Sequence, residues 1–251
     1  MTSSDTPNPA TATKWMPVRL IEPTPDGFLL VAISTGPWRV PPALPRPRRR
    51  KVLAQLRQLA IALEAQPEVE ESSVFEGTLR PPGNRSLAGQ WSGPVEYDAV
   101  MLVRTSTPQA ARALLDDERV REVSESVPNV LATAGRNVRR IADVNHQRQG
   151  VFLFNFFTAD DQEQNLHAWQ YTAGWFQDET NLDNSTVLGD LSNNSPFVLV
   201  NHCRWDHLID VVPSLIAKRS FTSFVLETFR QHRVAPHPAL YRLHFSTAQH
   251  G

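Results

Sequence analysis

The chain has 251 residues, enough for one large domain or two small ones with a substantial core. A formal net charge of -1 with 20% charged residues leaves no bulk electrostatic footprint for nucleic acid or an anionic membrane. The single cysteine, Cys203, excludes an intrachain disulfide framework.

Residues 1–13 are rich in Ser, Thr and Pro and read as a disordered tail. They lack the basic region and apolar core of a secretory signal, and no apolar run approaches a membrane span, so a soluble cytoplasmic protein is expected. Phe28 to Ser34 reads as a strand. Pro47 to Gln66 reads as a helix, with Val52, Leu56, Leu59, Ala60 and Leu63 at helical spacing. Its basic start, Pro45 to Lys51, reads as a solvated helix start rather than an anion site. Val69 to Arg80 alternates like an exposed strand. Tyr97 to Thr105 is a strand, Pro108 to Val123 a helix and Val127 to Thr133 a strand. Pro81 to Pro94 and Gly135 to Gly150 are connectors, the second with a short helix expected in it. Val151 to Phe157 is a strand and Asp161 to Phe176 a helix with Leu166, Trp169, Ala173 and Phe176 on one stripe. Ser185 to Leu191 and Phe197 to Cys203 are strands, His207 to His232 one helix or two, and Leu240 to Phe245 the last strand.

The same order occurs twice. DGFLLVAIST (Asp26 to Thr35) parallels QGVFLFNFFT (Gln149 to Thr158), and Tyr97 to Leu115 parallels Ser195 to Leu215. Each half reads β-α-β-β-α-β, the ferredoxin-like unit, which buries one sheet face under its helices and leaves the other bare. Two units in one chain can cover each other, so an α+β fold of tandem ferredoxin-like units forming a pseudo-dimeric barrel is expected. The domain reading is a tail at 1–13, an N-terminal scaffold at 14–134, a linker at 135–149 and a C-terminal domain with the active site at 150–251.

The second copy carries polar residues that the first lacks. Strand-by-strand alignment sets Asn155 against Ala32, Asn201 against Val103 and Trp205 against Thr107. Strand parity puts Asn155 on a face with Val151, Leu153 and Phe157, and Asn201 on a face with Phe197, Leu199 and Cys203. Trp205 joins Asn201 if the strand runs that far. The first and third strands of this unit are neighbours, so the two carboxamides can meet among apolar side chains. There they cost several kcal/mol unless they find partners. They satisfy one another or loop backbone, or they await a ligand.

An Asn on the first strand followed by N-x-x-x-W at the end of the third, here Asn155 and Asn201 to Trp205, resembles the anthrone oxygenases of aromatic polyketide biosynthesis. These are cofactor-independent members of the antibiotic-biosynthesis monooxygenase family. RWD and the stretch Ser220 to His244 resemble that family's second helix and last strand. The resemblance covers roughly residues 150–245, and the first half only in fold. The family's usual chain is a single unit that dimerises. A tandem chain resembles instead the oxygenases that open the B ring of angucyclines on the way to jadomycin-, gilvocarcin- and kinamycin-type products.

The resemblance implies an oxygenase that needs no metal, with O2 as co-substrate, acting on a polycyclic anthrone, phenol or hydroquinone. Its product is a quinone or a ring-cleaved acid. A reduced flavin from a reductase partner remains a second electron source, and homodimer formation is compatible with the fold. The substrate enolate gives one electron to O2, and the radical pair recombines as a hydroperoxide. Asn155 and Asn201 are assigned to the enolate oxygen and Trp205 to the peroxide, because neutral donors stabilise charge without quenching it. Trp169, Trp175, Phe221 and Phe224 are candidate flat walls, and His167 with Tyr171 a candidate acid–base pair, against plain core and exposed helix face respectively.

Other chemistries stay open. Cys203 beside His202 could be a nucleophile pair, although adjacent strand residues face opposite ways. His202, Asp206 and His207 could be a two-His, one-carboxylate iron site. A haem protein like chlorite dismutase or coprohaem decarboxylase would use His207 or His232. A non-catalytic ligand-binding scaffold is the remaining class.

Overall fold

The computed structural model describes residues 15–16, 18–36, 47–81, 97–192 and 195–249. The first half comprises β1 (Gly27–Ile33), α1 (Pro47–Glu64), β2 (Val69–Leu79), β3 (Ala99–Thr105), α2 (Pro108–Ala113), α3 (Glu118–Ser126) and β4 (Val130–Arg140). The second comprises β5 (Val151–Thr158), α4 (Gln162–Thr180), β6 (Thr186–Gly189), β7 (Leu199–Trp205), α5 (Leu208–Ala217), α6 (Glu227–Gln231) and β8 (Ala235–Ser246).

The eight strands close into one antiparallel barrel in the order β1-β3-β2-β8-β5-β7-β6-β4. It consists of two four-stranded sheets, β4-β1-β3-β2 and β8-β5-β7-β6, joined where β2 meets β8 and β4 meets β6. Closure removes the unpaired edges that each sheet would otherwise expose. It also buries strands on both faces, which is why GFLLVAI and VFLFNFFT are apolar nearly throughout.

Strand alternation sorts the core into three parts. Phe28, Leu30, Phe75, Phe152, Phe154 and Phe156 fill the barrel interior. Leu29, Val31, Met101 and Val103 pack outward against Leu56 and Leu63 of α1. Leu153, Leu199 and Cys203 pack outward with Trp169, Trp175 and Phe229 of the second half's helices.

Several expected boundaries move. β2 is not an exposed strand: Ser72–Gly77 are buried, because β3 and β8 flank it in the closed barrel. Gly135–Arg140 belong to β4, so the connector between halves shrinks to 141–150, where no helix forms. The β6 pairing holds that extension in place. β8 starts at Ala235 despite Pro236 and Pro238. Both prolines lie where β8 pairs with β5 only, since its described pairing with β2 begins at Leu240.

α4 starts on Asp161, whose side chain accepts from Gln164 N at 2.8 Å. It runs past Phe176 to Thr180 and stops at Asn181, which takes a left-handed φ of 54°. His207–His232 holds two helical segments, Leu208–Ala217 and 219–231, separated at Lys218, and the second carries a π-helical turn at Phe221–Leu226 before α6.

The halves correspond residue for residue along their central strands. Gly27–Ile33 matches Val151–Phe157, and Ala99–Thr105 matches Leu199–Trp205, each β3/β7 strand being followed by an N-cap at Thr107 or His207. The cross-strand pair Val31–Met101 therefore corresponds to Asn155–Asn201. This corrects the sequence alignment. The partners of Asn155, Asn201 and Trp205 are Val31, Met101 and Thr105, not Ala32, Val103 and Thr107.

Candidate functional site

Asn155 and Asn201 sit directly opposite each other on β5 and β7, on the face covered by α4 and α6. β7 continues to Trp205, which pairs with Val151 and shares that face. Two cavities of about 30 Å³ each lie in this layer. Both are lined by Leu153, Asn155, Phe176, Trp205 and Phe229. One extends toward Asn201, Ser185, Trp169 and Cys203. The other extends toward Phe221 and Val225 of the π-helical turn. Each has room for a water or two, or for O2.

The polar groups are individually tied. Ser185 Oγ donates to Asn201 Oδ1 at 2.5 Å, so the Asn201 amide turns its Nδ2 donor the other way. Asn155 Oδ1 is buried with no hydrogen-bond partner among the described residues. Trp205 Nε1 donates to Thr180 Oγ1 at 3.0 Å, and Thr180 Oγ1 in turn donates to Phe176 O at 2.5 Å. The indole N–H is therefore engaged and not offered to the cavity. Among the described residues Cys203 is the only titratable group lining either cavity, and burial pushes its thiol far above the ordinary range, so it is protonated and inert.

Asn155, Asn201, Trp205, Trp169 and Phe221 thus meet around adjoining cavities. The remaining candidates lie elsewhere. Trp175 is fully buried behind the walls, against Phe176 and Phe221, with its Nε1 donating to Ser220 Oγ. Phe224 packs on Trp15 and Tyr171. Tyr171 is exposed, as is His167, whose ring lies beside His232 rather than beside Tyr171. Ser185 and Thr180, which orient the amide and the indole, carry no sequence signal. They come from the start of β6 and the end of α4 and meet the site only in three dimensions.

The other chemistries separate in space. His202 points into the barrel and Cys203 outward, so they form no nucleophile pair. Burial, then the nearby His146, hold the His202 imidazole well below its ordinary range. Asp206 is exposed and held by Arg204, and no group of three or more His, Cys, Asp or Glu converges to hold a metal among the described residues. His207 is exposed and His232 gives its Nδ1 to Thr228 O. Among the described residues no imidazole lines either small cavity, so these linings offer a haem iron no histidine ligand.

No family model matches the chain, and no curated protein matches it. Solved structures do. An anthrone oxidase-like protein is similar with a TM-score of 0.61 at 10% identity, covering 88% of this chain and 92% of the other. A candidate monooxygenase of Fusobacterium nucleatum gives a TM-score of 0.55 at 6% identity, over 89% and 94%. A candidate DyP-type peroxidase of Shewanella oneidensis gives 0.50 at 10% identity, over 91% and 96%. These likenesses establish the fold, a ferredoxin-like α+β barrel.

Proposed function

We propose that the chain is an oxygenase that uses O2 on an electron-rich polycyclic aromatic substrate in the helix–sheet layer of its second half. The observation that carries this reading is the Asn155–Asn201 pair. Two carboxamides face each other in an apolar layer, and one of them has a buried oxygen with no partner. Groups in that state cost free energy in the resting protein and gain it when a ligand supplies their missing bonds.

The chemistry follows from what lines the cavities. The described residues that line the cavities include no functioning base, so the substrate is one acidic enough to arrive as, or readily become, an enolate or phenolate. Asn201 Nδ2 donates to its oxygen, and Ser185 holds the amide in that orientation. Asn155 Oδ1 accepts from a neighbouring substrate hydroxyl. The enolate passes one electron to O2, and the radical pair forms one C–O bond, giving a hydroperoxide after protonation. Loss of water leaves a carbonyl, so one O2 becomes one product oxygen and one water. Trp205 serves as a wall in this scheme, since donation to a peroxide would require it to leave Thr180. A polycyclic ring exceeds the present cavities, so its entry requires the wall at Phe221–Leu226 to move. π-helical turns concentrate at functional sites that need such adjustment. Ring cleavage, as in the angucycline oxygenases, is the alternative fate of the same hydroperoxide.

The test is oxygen uptake by chelator-treated protein given an anthrone or a polycyclic hydroquinone. Uptake without added flavin or metal, with kcat reduced about 100-fold in Asn201→Ala, is expected on the scale of one lost oxyanion donor. An unchanged rate in that variant removes Asn201 from the chemistry. Uptake only with reduced flavin moves electron delivery to the flavin.

A further inference from the structure

The barrel interior carries a cavity of about 320 Å³ at the end crossed by the connector 141–150. Glu71, Arg104, His146, Thr186 and His202 are among its lining residues. It lies on the opposite face of β7 from the asparagine pair and plays no part in the reading above. The first-half counterpart of His202 is Leu102, so this polar group too belongs to one copy only.

The two imidazoles here are fixed by what surrounds them. His202 Nδ1 lies 3.0 Å from Leu153 O, and a carbonyl only accepts, so Nδ1 carries the hydrogen. His146 Nδ1 contacts the Glu71 carboxylate, which holds a hydrogen there by the same argument. Both rings must then present Nε2, and the two Nε2 atoms stand 2.8 Å apart. Two neutral imidazoles so fixed aim lone pair at lone pair. A cation has to lie between them, either a proton or a metal ion.

We propose that His146 and His202 form a site for a divalent transition-metal ion, Cu²⁺ or Zn²⁺, inside the barrel. Metal-binding histidines characteristically donate their second ring N–H to a carboxylate or a backbone carbonyl, and this pair has one of each. Imidazole nitrogen suits copper and zinc among the divalent metals. Bonds of about 2.0–2.1 Å at a tetrahedral metal place two nitrogens about 3.3 Å apart, so the rings need part by only about half an ångström. His146 sits on the connector, which can yield by that much. No third side chain of the described residues completes the set, so the adjoining cavity supplies the other positions, as water or a small ligand.

The experiment uses the full chain, tag-free and chelator-treated, titrated with Cu²⁺ and followed by electron paramagnetic resonance and calorimetry. One Cu²⁺ per chain is expected, with hyperfine structure from two nitrogens. His146→Ala should abolish it, and His232→Ala, which breaks the surface pair with His167, should keep it. Glu71→Gln should weaken affinity about 10- to 100-fold. His146 lies outside every strand, so its replacement leaves the barrel ladder whole. Absence of stoichiometric binding overturns the proposal and leaves a shared proton between the rings. Binding undiminished in His146→Ala overturns it by placing the copper elsewhere.

Discussion

The two helix–sheet layers have the same architecture and opposite chemistry. In the first half, Val31 and Met101 face each other under α1, both fully buried in an all-apolar cluster. In the second, the corresponding pair is Asn155 and Asn201, with small cavities beside it. The fold therefore does not require polar groups at this position; the first half folds around the apolar version. Carboxamides that the architecture can do without, one with an orphaned oxygen, cost stability where they stand, and the function proposed above gives them a use.

The most disruptive way to probe this difference is to write the second half's chemistry into the first. Val31→Asn should destabilise by about 3 kcal/mol or more, since no partner awaits the amide. In a chain of this size that lowers Tm by roughly 6–12 °C in calorimetry. A shift under 2 °C would mean that the first layer tolerates polarity and that the contrast between halves carries no information.

Acid should also distinguish the halves. His237 in β8 corresponds to Leu131 in β4 and is held to about 4, first by burial and then by the Arg80 charge. The unfolded chain thus takes up a proton that the folded one refuses. The stability that His237 contributes is full above the ordinary imidazole range and falls as pH drops from about 6.5 toward 4, a loss of at most about 3 kcal/mol from this residue. Urea unfolding from pH 7.5 to 4 should show this acid limb, and His237→Leu should make it shallower, leaving the part that His202 and His244 contribute by the same route.

Writing the first half's chemistry into the second sharpens the comparison most. Asn155→Val, Asn201→Met and Ser185→Ala together remove the orphaned oxygen and both partners of the Ser185 bond. Stability should rise by about 1–3 kcal/mol while oxygen uptake disappears. A loss of stability would make the asparagines structural. The smallest effect concerns the helix starts that follow the paired strands. Thr107 caps α2 with its hydroxyl, whereas at α5 His207 N donates to Asp210 Oδ2 at 2.8 Å. Thr107→Ala should cost about 1 kcal/mol by chemical denaturation.

Element order and strand parity were legible because periodicity is local. Alternation alone put Asn155 on a face with Leu153 and Asn201 on a face with Leu199, and the structure keeps those faces and turns them outward. Alignment of the halves failed by one residue on the first strand and two on the third. The sequence comparison keyed on the glycine before each apolar run. Gly27 is inside β1, while Gly150 precedes β5. β2 read as exposed because alternation reports one covered face and cannot register the second sheet that closes over the other.

The sequence by itself determined that the chain holds two β-α-β-β-α-β units and that the polar pair belongs to the second, because side-chain period and residue type are properties of a strand before it packs. Only the tertiary structure decided what those groups touch. Ser185 turns the Asn201 amide, Thr180 takes the Trp205 N–H, and His146 enters the barrel from a connector to meet His202. Each of these contacts joins residues from different elements, between 16 and 56 positions apart, and no local pattern encodes which of them closure of the barrel will bring together.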